Sequence, residues 1–92
     1  MKKILNIKSF YKFNDGRLFI RGTNSEFDKY SISEVQSFFV GEKLLMKEGY
    51  LQKVKIIDCF VMEVMFSGYE FDLELSSLNL DEIPVNVSLY AE

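Results

Sequence analysis

From Tyr69 to Leu75 the chain alternates at period two, with Tyr69, Phe71, Leu73 and Leu75 on one side and Glu70, Asp72 and Glu74 on the other. That is the pattern of a strand with one dry and one wet face. The preceding stretch, Val54 to Phe66, carries Ile56, Ile57, Cys59, Phe60, Val61, Met62, Val64 and Met65 in near-continuous succession. Such a run predicts a strand lying deep in the sheet, with both faces covered. Ser67-Gly68 breaks the two patterns apart, so Val54 to Leu75 reads as two or three strands around one tight turn.

The rest of the chain carries shorter signals of the same kind. Ile4 to Phe13 has strand composition and stops at Asn14-Asp15-Gly16, a hairpin turn because Gly accepts positive φ. A second strand is predicted over Arg17 to Arg21, followed by turn or loop at Gly22-Thr23-Asn24-Ser25. Ser33-Glu34-Val35-Gln36 has capping-box spacing, but Gly41 follows so soon that one or two helical turns are the most that fit. Lys43 to Lys47 reads as a strand, Glu48-Gly49 as a turn, Ser76 to Pro84 as a connection, and Val85 to Tyr90 as a last strand. Six or seven short strands with turn signals every 8 to 12 residues or so and little helix predict an all-β single domain, a small closed antiparallel barrel over residues 1–92.

Composition fits that size of core. A chain of 92 residues buries only about 60–65% of its unfolded surface, and nine Phe, five Tyr and many branched aliphatics can fill a barrel without metal or disulfide. The lone Cys59 has no internal partner and reads as a small buried hydrophobe in a reduced, cytoplasmic setting. Asn6 and Lys8 interrupt the amino-terminal apolar stretch before it reaches signal-peptide length, and no segment approaches the roughly 20 apolar residues of a membrane span. No membrane partner is expected. Charge is segregated: residues 1–55 hold all eleven Lys and Arg against six acids, a balance of +5, and residues 56–92 hold eight acids and no base, a balance of −8.

The order of features resembles a known module. Phe10 to Gly22, Val40-Gly41-Glu42-Lys43-Leu44, Val54-Lys55-Ile56, Ser67-Gly68-Tyr69-Glu70 leading to Leu73 and Leu75, and Leu80-Asp81-Glu82-Ile83-Pro84 are together similar to the second, β-barrel domain of translational GTPases such as elongation factor Tu. The resemblance implies a barrel of that topology and an RNA- or ribosome-associated accessory role. Arg21-Gly22-Thr23-Asn24 stands where that family has Thr-Gly-Arg-Val-Glu, and the segment from Ser25 to Gln36 is longer than the family's turn. No G-x-x-x-x-G-K-[ST] loop occurs, so no GTP chemistry is expected of these residues.

Candidate chemistry is narrow. Without histidine the commonest general base and the Ser-His and Cys-His pairs are missing, and one cysteine builds no thiolate cage. No enzyme activity, cofactor or metal is expected. Glu70, Asp72 and Glu74 lie on one face of one strand, roughly 6–7 Å apart; with Asp81 and Glu82 they form an acidic surface suited to a basic protein partner. Lys8, Lys12, Arg17 and Arg21, interleaved with Phe10, Tyr11, Phe13 and Phe19, imitate a nucleic-acid platform. Alternation sets Phe19 beside Arg17 and Arg21 and groups Lys8, Phe10 and Lys12 on one side of the first strand. Net acidity disfavours nucleic acid, whose binding rests on phosphate neutralisation. Phe38-Phe39 reads as core, or as an anchor for a partner. The functional expectation is a non-catalytic protein-binding module that neutralises a basic partner, as small acidic immunity or antitoxin proteins of bacteria do by analogy of size and charge; the RNA-associated domain is the alternative.

Overall fold

A computed structural model describes residues 2–47, 49–76 and 87–91. Six strands, β1 (Lys2–Lys12), β2 (Leu18–Thr23), β3 (Gly41–Lys47), β4 (Tyr50–Val64), β5 (Gly68–Leu75) and β6 (Val87–Ala91), are joined by a 3-10 turn at Ser25–Phe27 and one helix, α1 (Ile32–Phe39). The strands close into an antiparallel barrel in the order β1-β2-β5-β4-β3-β6, with β6 returning to β1. This is the all-β barrel that the strand spacing predicts. The expected connection from Ser76 to Pro84 lies almost wholly outside the described residues, as do Val85, Asp81 and Glu82.

The interior is lined by Ile4, Leu5, Phe10, Ile20, Leu45, Val54, Ile56, Cys59, Phe71, Leu73, Leu75, Val87 and Leu89, closed at one mouth by Val35 and Phe39 of α1. In β5 every inward residue from Phe71 to Leu75 is buried and every acid between them is partly exposed, as period two requires. Ile4 and Leu5 are consecutive and both buried, because the β1–β6 register shifts between Lys3 and Leu5. A bulge re-aims side chains in this way by placing an extra residue opposite one partner.

Several expectations are corrected. The strand β2 runs on through Gly22 and Thr23, where a turn is predicted: a Cβ at Gly22 would strike the Asn6 carbonyl and the Leu5 side chain, so glycine lets β1 and β2 stay paired there. The capping box belongs to Ser31 and Glu34, two residues earlier than the Ser33 spacing suggests; Ser31 Oγ accepts from the Glu34 N–H and Glu34 Oε1 accepts from the Ser31 N–H. A second bulge between Ile7 and Ser9 separates Lys8 from Phe10. Phe10 is buried in the core and the Lys8 ammonium reaches Glu70 on the outside, so the two do not share a face. The pair Phe38-Phe39 is split, Phe39 buried and Phe38 41% exposed.

The largest correction concerns β4. It lies between β5 and β3, but its outward side chains are not covered: Ile57, Phe60, Met62 and Val64 are between 38% and 46% exposed. A single curled sheet has only one interior, so a continuous apolar run must still turn alternate residues to the outside.

Candidate functional site

The outer wall of β1, β2, β5 and β4 brings Glu70, Asp72 and Glu74 together with Lys8 and Arg21, while Asp81 and Glu82 of the predicted acidic set lie outside the described residues. Register sets Arg21 opposite Asp72, Phe19 opposite Glu74 and Tyr11 opposite Phe19. On the other side of β5, Phe60 stands opposite Asp72, Met62 opposite Glu70, and Asp58 opposite Glu74. Glu70 and Asp72 of the acidic strip therefore share a face with Lys8 and Arg21, which neutralise them.

The Arg21 guanidinium grips Asp72 with two charge-assisted bonds, Nε to Oδ1 at 2.7 Å and Nη2 to Oδ2 at 2.9 Å. These bonds hold the Asp72 carboxyl below its ordinary value and raise the Arg21 guanidinium further. Glu70 receives Lys8 and Arg21, each at 3.4 Å. Arg17 pairs with Asp15 at 2.9 Å and lies over the rings of Phe13 and Phe19. Of the four predicted cations, only Lys12 forms no ion pair among the described residues.

Between the charges lies a second aromatic cluster, outside the barrel. Phe19 stacks on Tyr11 with centroids 5.5 Å apart and planes at 9°, and touches Phe13 at 5.0 Å and Phe60 at 6.2 Å. It is 4% exposed although it points away from the core, shielded by these rings and by Arg17. Burial, with Asp72 nearby, pushes the Tyr11 phenol above its ordinary value.

Two carboxylates on this wall lack a counter-charge. Asp58 and Glu74 face each other across β4 and β5, and neither forms an ion pair among the described residues. Like charges directly opposite on a sheet are destabilising. An incoming ammonium or guanidinium would relieve that repulsion.

Sequence reasoning missed the exposed apolar row Phe60, Met62 and Val64 and the hairpin tip, where Met65 is 80% and Phe66 101% exposed. One signal could have found the row: Asp58 must face water, and residues 60, 62 and 64 share its parity. The bulge between Ile56 and Asp58 hides that parity from anyone counting from Val54.

Two clefts open elsewhere. One of about 590 Å³, lined by Ile4, Phe27, Tyr30, Val35 and Phe38, lies between β1 and α1. Its carboxylates are engaged, Glu26 by Lys2 at 3.1 Å and Glu34 by the capping box. The other, of about 380 Å³, lies beneath the β4–β5 turn; there Asp28 Oδ1 accepts the Tyr69 N–H at 3.1 Å, pinning the base of the hairpin. Cys59 is 1% exposed and its thiol is pushed up to about 12, by burial first and then by the nearby carboxylates, so it is no nucleophile in the folded chain. No helix among the described residues is long and apolar enough to cross a membrane.

Comparison with protein-family models, with curated proteins and with solved structures finds no match.

Proposed function

We propose that the chain is a non-catalytic protein-binding module that takes a basic partner on the outer wall of β2, β5 and β4. The observation that carries this reading is the uncompensated pair Asp58 and Glu74 beside the aromatic cluster of Phe13, Phe19 and Phe60. A Lys or Arg of a partner would meet two carboxylates there, and its aliphatic stem would lie against rings. The alternative, an RNA-associated domain, rests on the resemblance to the translational GTPase barrel. It has less support, because Lys8, Arg17 and Arg21 are met by carboxylates of the same chain and phosphate binding needs cations in excess.

The test is affinity capture from the source cell with the wild-type chain and with Asp58→Lys/Glu74→Lys, whose far-UV circular dichroism should match. The reading expects basic proteins that the wild type retains and the variant loses, with retention falling as salt rises. Retained nucleic acid that nuclease removes, and that the variant holds more tightly, would favour the alternative.

A further inference from the structure

Among the described residues, the second edge of β4 is unpaired beyond the helix. Pairing of β4 with β3 ends at Gly41 opposite Ile56, and β5 accompanies it from Ile56 to Val64. On the side away from β5, α1 covers β4 only as far as Cys59, whose carbonyl accepts from Gln36 Nε2 at 2.9 Å and whose N–H donates to Asp58 Oδ1 at 2.8 Å. Both polar groups of Cys59 therefore point away from β5. By alternation those of Val61 and Glu63 do the same, and no partner for either is found among the described residues. The carbonyl of Val64 fits this alternation, since it accepts the Ser67 N–H inside the turn.

We infer that this edge is completed by a second copy of the chain, β4 pairing antiparallel with β4 of the other copy about a two-fold axis at Met62. This goes beyond the binding reading above and does not depend on it. In that register Val61 of each copy faces Glu63 of the other, giving four backbone hydrogen bonds across the seam. Phe60 comes level with Val64 of the other copy and Met62 with Met62, so the exposed row is complementary to itself, as a two-fold interface requires. β4 stops at Val64, so Met65 and Phe66 of the turn lie beyond the paired segment, at the end where α1 of the other copy covers the edge at Cys59.

Three observations select a second copy over other occupants. The row and the tip together expose on the order of 500 Å² of apolar surface per copy, close to the largest patch of an ordinary monomer and more than half of the roughly 800 Å² that each partner of a stable pair buries. The register sets no two like charges directly opposite each other. A lipid surface is disfavoured because Glu63, beside the tip, is exposed and acidic, and anionic headgroups would repel it. The pairing leaves Glu70, Asp72 and Glu74 one strand away from the seam and open on both copies, whereas Asp58 and Phe60 lie on the seam strand itself.

Sedimentation velocity on the full chain between about 1 and 200 µM tests this. The wild type should run at twice its 10.8 kDa mass. Met62→Lys, which sets two cations opposite each other at the axis, and Glu63→Pro, which removes an N–H that points only across the seam, should each run as monomers with unchanged circular dichroism. Met62→Cys should give a disulfide-linked dimer under mild oxidation, because opposed Cα atoms lie about 4.5–5.5 Å apart, whereas Glu70→Cys should not. A wild-type chain that stays at single mass, whether free, on anionic vesicles or bound to another protein, overturns the inference. So does a dimer that persists in either folded variant.

Discussion

At the scale of residues, the wall is organised by Arg21 and Asp72. Asp72 is 13% exposed at its side chain and Arg21 39%, so the pair sits where solvent still screens Arg21, and its bidentate geometry is worth about 1 kcal/mol after that discount. The folded carboxyl is held below its ordinary value of 3.8. Its contribution is therefore complete above about pH 4 and is lost as pH falls through the lower folded value. Asp72→Asn should lower unfolding stability by about 1 kcal/mol at pH 6, and the gap should be smaller at an acid pH below the carboxyl's ordinary value, shrinking as pH falls through the lowered folded one. Denaturant titrations at both pH values check this; an equal gap at both would mean that Asp72 acts through packing alone.

At the scale of elements, the two bulges in β1 and the one in β4 set which residues meet. They let Ile4 and Leu5 both enter the core and send Lys8 out to Glu70. The close approach of β1 to β2 depends on Gly22, whose missing Cβ leaves room for Leu5, with Cγ only 2.7 Å from where that carbon would stand. Gly22→Ala should cost about 1–3 kcal/mol, read as a lower denaturant midpoint with an unchanged slope. A neutral result would show that β1 can slide away from β2 freely. Helix α1 is short, and its capping box and the buried Val35 and Phe39 hold it over the mouth. Phe39 meets Phe71 at 5.1 Å and Phe27 at 5.1 Å, which ties the helix to β5 and to the 3-10 turn.

At the scale of the whole molecule, closure decides what is reachable. Cys59 stands in the wall with its thiol among buried side chains and pushed up to about 12. At pH 8 it should resist a thiol reagent such as dithionitrobenzoate in the folded chain and react fully in denaturant, with the native rate following unfolding. Immediate reaction under native conditions would contradict the closed barrel. The segregation of charge along the sequence does not survive folding as two opposed poles on this wall. Strands from the basic amino-terminal half, β1 and β2, lie beside the acidic β5, and among the described residues the uncompensated carboxylates that face each other on this wall are Asp58 and Glu74.

The sequence by itself determined the all-β class, the period-two dry face of β5, the Asp15-Gly16 hairpin and the residues of the acidic strip. Each of these follows from neighbours a few positions apart, through the pleat and through glycine's freedom at positive φ. Tertiary structure decided which side of β4 faces water, that Lys8 and Arg21 share one wall with Glu70 and Asp72, and where, among the described residues, an edge is left unpaired. Those outcomes depend on bulges and strand register, and a single inserted residue reverses every side chain beyond it. Within the run from Val54 to Phe66 only Asp58 hints at that reversal, and the bulge before it hides the hint from a count that starts at Val54, which is why the exposed row at Phe60, Met62 and Val64 becomes plain only once the strands are paired.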